Sequence, residues 1–342
     1  MSSRNIKAKA LQIKNETQAR ANNANRVGGL LEDIADELTD IEASAIQADN
    51  EDLTIENGVI RFKDKSSLDG MGHVILRKNK TFASQVNKTN TIYEVKYDFD
   101  LDGAEVTIPA NCVLQFTGGS VSNGTLNFTD TTINGLATHA IRTAISGTLV
   151  NDEVQVDWFT SGATEEDCTS IIQALINVCQ STIAFTAYYR IQGGIVLKSN
   201  THLLSKNKAT LFSDGKVHYV SMLRGNQAGS SNVTIEGLVF DQRAELDMPA
   251  SQLSGIKLNC INSSQISELT IKDCEFYHCG NAAVVTTDNT GDNIQIVGNT
   301  FVYYQLQNTG RFDNSTIYCR SSNHVIKNNY IRASENSLIG GG

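Results

Sequence analysis

The sequence predicts a mainly β protein: a parallel β-solenoid, preceded by a small β-rich domain and an N-terminal α-helical coiled-coil segment. Three observations carry this prediction. A nine-residue pattern recurs four times in the last third of the chain, short apolar strands alternate with Gly- and Asn-containing turns before it, and a heptad of aliphatic residues lies near the N-terminus. Because each pattern has its own secondary-structure period, we expect three segments, at 1–50, 53–150 and 151–342.

The nine-residue pattern, called here the repeat segment, has isoleucine at its fourth position and an aromatic residue or isoleucine at its ninth. Its four copies are NVTIEGLVF (232–240), ELTIKDCEF (268–276), NIQIVGNTF (293–301) and NHVIKNNYI (323–331). Their isoleucines follow one another at unequal intervals of 36, 25 and 30 residues. A helical repeat would need a fixed unit, whereas a parallel β-solenoid stacks equivalent strands and lets extra residues bulge out as loops.

Each repeat segment is interpreted as two short strands joined by a corner. The fourth and ninth residues point inward, and the sixth and seventh turn the corner, where Gly, Asn and Asp tolerate left-handed backbone angles. The corner pairs are Gly237-Leu238, Asp273-Cys274, Gly298-Asn299 and Asn328-Asn329. Stacked strands lie about 4.8 Å apart, so equivalent side chains are expected to form ladders. One ladder would be Ile235, Ile271, Ile296 and Ile326, and the other Phe240, Phe276, Phe301 and Ile331.

The segment 53–150 is predicted to be β-rich and to lead into the solenoid. VIRF (59–62) and HVILRKN (73–79) flank the turn SLDGMG, as in a hairpin. Further strands over 91–137 alternate with NG, GG and DG turns. After VDWF (156–159), one amphipathic helix is expected near 165–180, with Thr164 and Asp167 as its capping signal. Such a helix would cover the open end of the stack of sheets.

The first 50 residues are predicted to form a helix with a coiled-coil seam. The seam residues alternate at intervals of four and three: Val27, Leu31, Ile34, Leu38, Ile41, Ala45 and Ala48. Leu at the a positions with Ile at the d positions disfavours two strands and points to three or four. The alternative is an amphipathic helix packed on its own domain.

Charge is divided sharply in the same region. Residues 1–26 are basic, while residues 27–60 contain acids and no Lys or Arg. This division predicts polar docking onto a partner, through Arg4, Lys7, Lys9 and Lys14, or between neighbouring chains. The alternative is a solvated helix face.

Composition excludes several classes of function. A net charge of −9 argues against a nucleic-acid partner, because phosphate contacts need a basic surface. The chain has no window of about 18 or more apolar residues, so membrane insertion is not expected, and its first 30 residues lack the apolar core of a signal peptide. The seven cysteines form no CxxC pair, which favours reduced, buried thiols. We therefore expect no metal and no cofactor.

Three stretches of the sequence have a more specific character: MGHVILRKN (71–79), TIYEVKYDFDLDGAEVTIPANCVLQFTGGSVSNGTL (91–126) and LQIKNETQARANNANRVGGLLEDIADEL (11–38). They resemble tail fibre and tailspike proteins of bacteriophages that infect gut Bacteroidales, including the crAss-like phages. The segment 151–342 resembles the pectate-lyase-like β-helix domain that is common in such proteins. One departure lies in WFTSGATEEDCTSIIQ (158–173), which keeps the Trp-Phe start but lacks the family's Gly-Asp-Gly loop.

The resemblance implies a right-handed parallel β-helix in a virion protein that is made in the host cytoplasm. Such proteins are typically homotrimers, as the Leu/Ile heptads also indicate. Their N-terminal region attaches to other tail or baseplate proteins, and their β-helical part projects toward a glycan or receptor on the host surface. A tail fibre or tailspike is therefore the first functional hypothesis.

The alternative hypothesis is a β-helical polysaccharide depolymerase acting on host capsule. Glycoside hydrolysis needs two carboxyl groups about 5–9.5 Å apart, and a lyase needs a base. The best candidate cluster is Asp241, Glu245 and Asp247 facing Arg311 and Asp313 from a later loop. The positions equivalent to Asp241 in later copies are Tyr277, Val302 and Arg332, so no ladder of acids is expected, and the adhesive hypothesis is preferred.

Two further expectations concern the surface and the end of the stack. Lys272 and Glu275 flank one corner and are expected to pair on the surface. The sequence stops at SLIGGG (337–342), inside an expected strand. Because an open solenoid end exposes unpaired strand edges, we expect either that the natural polypeptide continues or that another subunit covers this end.

Overall fold

A computed structural model describes residues 53–56, 59–62, 71–161, 166–192, 194–213, 221–243, 261–279, 283–286, 291–303, 316–320 and 322–333. The predicted N-terminal helix, with its heptad seam and its basic residues, lies outside these ranges. The chain divides into two compact units, Met1–Val74 and Ile75–Gly342, whereas the sequence predicts boundaries near 50 and 150. The fold is mainly β, as predicted, and parallel sheets make up most of it.

In the first unit, a short antiparallel arrangement follows the order of the chain. Strand β1 (Leu53–Glu56) pairs with β2 (Val59–Phe62). Strand β2 in turn pairs with β3 (Gly72–Ile75), where Ile60 lies opposite His73. The predicted hairpin between 59–62 and 73–79 is confirmed, with a shorter second strand than the sequence indicated.

The second unit begins with strands that pair with one another in parallel. Its first elements are helix α1 (Phe82–Gln85) and the strands β4 (Thr91–Val95), β5 (Phe99–Asp100), β6 (Glu105–Thr107), β7 (Val113–Phe116), β8 (Val121–Gly135) and β9 (Ile141–Leu149). Strand β8 pairs with β5, β6, β7 and β9, and β4 pairs with β7. Tyr93, Leu114 and Ile133 lie side by side on three of these strands and are buried. The core therefore grows by stacking equivalent positions.

An amphipathic helix separates β10 from the strands that follow it. After β10 (Glu153–Gln155) and the 3₁₀ turn Val156–Trp158, helix α2 runs over Thr169–Val178 and buries its apolar stripe, which includes Ile172 and Leu175. It begins later than the expected start near 165. Asp167 accepts hydrogen bonds from the backbone N–H and the hydroxyl of Thr169, at 3.0 and 2.6 Å, and thereby satisfies donors of the first turn. The other predicted capping residue, Thr164, lies outside the described residues.

The strands that follow α2 are short. In chain order they are β11 (Thr182–Ala184), β12 (Tyr188–Arg190), β13 (Ile195–Leu197), β14 (His202–Leu204), β15 (Thr210–Phe212), β16 (Leu223–Gly225), β17 (Ser230–Glu236), β18 (Val239–Asp241), β19 (Ile261–Asn262), β20 (Ile266–Lys272), β21 (Glu275–Tyr277), β22 (Val284–Thr286), β23 (Gln295–Val297), β24 (Thr300–Tyr303), β25 (Ile317–Cys319), β26 (Val325–Lys327) and β27 (Tyr330–Ala333).

These strands form three parallel sheets, and the chain visits the sheets in rotation. The first sheet has the order β10-β11-β14-β17-β20-β23-β26, the second β12-β15-β18-β21-β24-β27, and the third β13-β16-β19-β22-β25. One circuit through the three sheets is called a rung below. Gln173 of α2 joins the helix to the third sheet, because its side chain makes two hydrogen bonds with the backbone of Val196, at 2.7 and 3.1 Å.

The two predicted ladders are present in the register of the strands. The fourth-position isoleucines of the repeat segments lie side by side across β17, β20, β23 and β26. The ninth-position residues do so across β18, β21, β24 and β27. Within the second ladder the rings of Phe240, Phe276 and Phe301 stack with centroids 5.1 and 4.7 Å apart and nearly parallel planes. The repeat segments therefore build the core of the stack.

At the corners, the two residues of each pair do different things. The first residue takes a left-handed backbone angle, with φ of 70° at Gly237, 54° at Asp273, 70° at Gly298 and 57° at Asn328. The second is directed inward, and Leu238, Cys274 and Asn299 are all buried. One left-handed residue is enough to turn the corner, so the second position becomes part of the interior.

Candidate functional site

One of the five predicted site residues lies within the described part of the chain. Asp241 ends strand β18, on the second sheet. Glu245, Asp247, Arg311 and Asp313 lie outside the described residues, so the proposed convergence of two loops is untested. The site described below is therefore built outward from Asp241.

Asp241 occupies the predicted row on the second sheet. Its neighbours in register are Phe212 on one side and Tyr277 on the other, and the row continues through Val302 to Arg332. The equivalence of Asp241 with Tyr277, Val302 and Arg332 is therefore confirmed. Because the adjacent residue Phe240 is buried in the core, the alternation of a strand directs Asp241 to the outer face.

Two basic side chains hold the Asp241 carboxylate. Nδ1 of His278 lies 2.7 Å from its Oδ1. The Arg243 backbone N–H donates to the same oxygen and the Arg243 Nε–H donates to Oδ2, both at 3.3 Å. Both basic residues have left-handed backbones, with φ of 52° at Arg243 and 49° at His278, just after the strands β18 and β21. Both oxygens of Asp241 are thus already engaged, and a ligand would compete for them.

The Arg243 guanidinium also covers an aromatic ring. Its central carbon lies 4.1 Å from the ring centroid of Phe212, which is buried beneath it. A cation over an aromatic face is attracted by the ring quadrupole. Arg243 is thereby held between Phe212 and Asp241, on two successive rungs. Asp241, Arg243, Phe212 and His278 are called the Asp241 cluster below.

A second group of polar contacts lies beside the Asp241 cluster on strand β21. The Tyr277 hydroxyl donates to Oε2 of Glu275 at 2.8 Å, and Lys208 lies 3.3 Å from Oε1 of the same carboxylate. Burial raises the pKa of the Tyr277 phenol, and its bond to the Glu275 carboxylate raises it further. Tyr277 therefore stays a neutral donor, and its half-buried ring lies next to the Asp241 row. Together these groups offer a partly exposed aromatic and hydrogen-bonding surface to a polar ligand.

The sequence pattern aligns Asp241 with Tyr277, but it does not indicate that Arg243 and His278 meet at this carboxylate. Arg243 and His278 lie 35 residues apart, and the signal that joins them is alignment: His278 directly follows Tyr277, the counterpart of Asp241 on the next rung. The expected pairing of Lys272 with Glu275 is wrong. Lys272 lies 3.0 Å from Glu236 on the preceding rung, and Glu275 pairs with Lys208 instead. Both ion pairs therefore join residues of different rungs.

A separate cavity of about 420 Å³ lies at the C-terminal end of α2. It is lined mainly by amide and hydroxyl groups, together with Lys198 and the Cys179 thiol. Burial raises the pKa of Cys179 to about 12, so the thiol is neutral at physiological pH and is a poor nucleophile. The cavity therefore has room for a small polar molecule, but Cys179 does not supply a reactive group there.

Cys274 has a structural role. Burial raises its pKa to about 12, and its thiol donates to the backbone oxygens of Lys272 and Ile235, at 3.3 and 3.7 Å. Among the described residues, no group of three or more His, Cys, Asp and Glu side chains is arranged to hold a metal ion. In the same part of the chain, no helix has the length and apolar character needed to cross a membrane.

Comparisons with known proteins give no relative for this chain. No family model, no curated protein and no solved structure matches it.

Proposed function

We propose that the chain is a structural component of a bacteriophage virion, a tail fibre or tailspike in which residues 151–342 form a right-handed parallel β-helix. In this proposal a homotrimer attaches to other tail or baseplate proteins through residues 1–50 and projects the β-helix toward a host-surface glycan or receptor. The sequence resemblance over 11–38, 71–79 and 91–126 supports the assignment to a phage tail.

The observation that carries the proposal is the in-register stacking of rungs. The rotation of the chain through three parallel sheets is the connectivity expected of a β-helix, and parallel crossovers are right-handed in about 98% of cases. Each rung contacts its neighbours through backbone hydrogen bonds and through buried ladders such as the stacked Phe240, Phe276 and Phe301. A body of this kind is elongated and stiff, which suits a projecting virion part.

The state of the carboxylates favours adhesion over catalysis. Asp241 is held by His278 and Arg243, and Glu275 is held by Lys208 and Tyr277. Groups held in this way present a fixed pattern of donors, acceptors and rings, which serves recognition of a hydroxylated ligand. Glycoside hydrolysis would require one of these carboxyl groups to be available for proton transfer or attack.

A polysaccharide depolymerase is the second candidate, and the Asp241–His278 contact is the observation that favours it. A carboxylate that orients an imidazole is a common arrangement for general acid–base chemistry. This pair lies on the outer face of a sheet, where a long polymer has access. The depolymerase hypothesis therefore places its chemistry in the Asp241 cluster.

Oligomeric state tests the structural part of the proposal. Light scattering on the full chain should give three times the monomer mass of 37.2 kDa. Leu31→Lys with Leu38→Lys should give monomers, because two charges would be buried in the seam. Asp36→Lys, which changes charge off the seam, should leave the trimer intact. A monomeric unmodified chain, or a trimer that survives both seam changes, would contradict the proposal.

Adhesion and catalysis are separated by one further experiment. Fluorescently labelled chain should bind some strains in a panel of Bacteroidales cells, and free capsular polysaccharide from those strains should compete. Incubation with that polysaccharide should release neither reducing ends nor unsaturated uronates. Turnover that disappears in Asp241→Ala and Asp313→Ala would instead establish the depolymerase.

A further inference from the structure

The cavity of about 420 Å³ at the C-terminal end of α2, called the α2 cavity below, lies between two short segments of the chain. One wall is the end of α2 with its connection to β11, over 176–181, and the other is the turn between β13 and β14, over 198–201. Both walls lie entirely within the described ranges. The volume falls in the range of about 300–1,000 Å³ that small-molecule sites have.

Hydrogen bonds fix the two walls of the α2 cavity. Oγ1 of Thr201 donates to the Lys198 backbone oxygen at 2.8 Å and closes the turn, and the Asn200 backbone N–H ties the turn to the oxygen of Ser231 at 2.9 Å. The Lys198 ammonium reaches the opposite wall, where it donates to the Asn177 backbone oxygen at 3.2 Å. Because the walls are already in place, little ordering cost opposes the binding of a ligand.

The charge of the α2 cavity is close to zero. Among the described residues that line it, Lys198 alone carries a charge. Its ammonium lies against a carbonyl in the last turn of α2, where the helix dipole places partial negative charge. The cation and the helix end offset each other, so the cavity favours a neutral ligand over an ion.

The lining of the α2 cavity combines apolar and polar groups. Ile176 and Ile183 are buried aliphatic residues, whereas Asn177 and Gln180 are exposed residues with carboxamide side chains. Oγ of Ser199 accepts a backbone N–H at 3.1 Å, which leaves its hydroxyl proton for a ligand. A pyranose ring has the same division, because its C–H face is apolar and the hydroxyl groups around its edge both donate and accept.

We propose that the α2 cavity binds one neutral pyranose unit of a glycan. The C–H face of the ring packs on Ile176 and Ile183, and its hydroxyl groups bond to the carboxamides of Asn177 and Gln180. The cavity lies at the corner between the third and first sheets, apart from the Asp241 cluster on the second sheet. The proposal does not rest on the assignment to a phage tail, since a monomeric chain would keep the same cavity.

Saturation-transfer difference NMR on the full chain tests the proposal. The probes are the methyl glycosides of glucose, galactose, mannose and N-acetylglucosamine. At least one should bind saturably, with a dissociation constant of about 1 mM as expected for a ligand of this size. Irradiation of the isoleucine methyl groups should transfer most strongly to the ring C–H protons. No saturable binding of any probe up to about 20 mM would overturn the proposal.

Two substitutions of exposed glutamines provide a matched pair. Gln180→Leu removes a carboxamide from the α2 cavity and should weaken binding about fivefold, because one hydrogen bond to the sugar is lost. Gln295→Leu makes the same change on β23, outside the cavity, and should leave binding unchanged. Both residues are exposed, so both variants should fold, as circular dichroism would check. Equal binding by the two variants would place the sugar elsewhere and overturn the proposal.

A third variant tests the location by blocking the α2 cavity. Asn177→Trp adds a bulky ring at an exposed position of one wall and should abolish binding of every probe over the same concentration range. Its fold is checked in the same way. Full binding by a folded Asn177→Trp variant would contradict the proposed site.

Methyl glucuronide tests whether the ligand is neutral. Since the Lys198 ammonium is offset by the end of α2, this charged sugar should bind no more tightly than methyl glucoside. Binding of the glucuronide about tenfold tighter than the glucoside, and weakened by salt, would identify an anion site and overturn the proposal in its stated form.

Discussion

The interior rungs and the last described rung are built from the same repeat segment but differ in what they bury. Phe276 lies between Phe240 and Phe301 and is 1% exposed, whereas Ile331, at the same position of the final copy, is 55% exposed. Each residue is in parallel register with the preceding copy, but among the described residues only Phe276 also has a following copy in register. In a stack of rungs, a side chain is therefore buried when it has neighbours on both sides, and its place in the repeat segment is not sufficient by itself.

The largest effect that should sharpen this comparison comes from removing an interior ring. Phe276→Ala should lower the free energy of unfolding by about 3–5 kcal/mol, because the stacked neighbours cannot close the cavity. Ile331→Ala should cost less than about 1 kcal/mol, since more than half of that side chain already meets solvent. Urea unfolding followed by circular dichroism compares the two. Equal losses would mean that the final rung is covered to the same degree as the interior.

A smaller difference is expected at the corner asparagines. Asn299→Ala should destabilise by about 2 kcal/mol, because the buried N–H of Cys274 and oxygen of Ile271 lose their partner where water cannot replace it. Asn329→Ala should cost about half as much, since Asn329 is itself only half-buried and water can take the place of its carboxamide. The same urea experiment measures both, with far-UV spectra as the control for fold. A larger loss at Asn329 would contradict this assignment of burial.

The free energy of unfolding should fall at alkaline pH because of Cys274, which occupies the corner position that Asn299 occupies on the next rung. Burial raises the pKa of Cys274 from 9.0 to about 12, so the unfolded chain loses this proton before the folded one does. The protonated Cys274 thiol therefore makes its full contribution to the free energy of unfolding below pH 9. This contribution falls by about 1.4 kcal/mol per pH unit as the pH rises toward 12. Cys168 and Cys179 add slopes of the same sign.

Cys274→Asn provides the matched variant for this pH dependence. It supplies a carboxamide like that of Asn299 and does not ionise, so the decline of unfolding free energy between pH 9 and 11 should become shallower by about one group's share. Unfolding midpoints collected across this range give the slope. An unchanged slope would show that other groups control alkaline stability.

The smallest expected effect tests the left-handed corners. Gly298 has φ of 70°, and a Cβ there would lie 2.7 Å from Oδ1 of Asp273. Gly298→Ala should therefore cost about 1 kcal/mol, through left-handed strain and this contact. Asn328→Gly, at the same position of the final copy, keeps the backbone angle available and should change stability by less than about 0.5 kcal/mol. Thermal unfolding midpoints compare the two variants.

Most of the fold of the later rungs could be predicted from the sequence, because the repeat segment encodes its own register. Aligning the four isoleucines was enough to pair Ile235 with Ile271 and Phe276 with Phe301. The site was less accessible to prediction. The alignment placed Asp241 beside Tyr277, but it did not indicate that His278 and Arg243 meet at this carboxylate, since both lie just after the strands β18 and β21, where strand alternation no longer applies. Lys272 was given the wrong partner for the related reason that its real partner, Glu236, belongs to another rung.

The sequence by itself determined which residues face inward, which turn the corners and which copies lie side by side, because alternation and left-handed corner residues are local properties. Only the tertiary structure decided which of those inward residues are buried, which ion pairs form, and that the second corner residue joins the interior. These outcomes depend on side chains that are distant along the chain, as Lys272 and Glu236 are, but that lie on stacked strands about 4.8 Å apart. Sequence spacing does not measure that distance, and so the exposure of Ile326 and Ile331 appears only when the rungs are stacked.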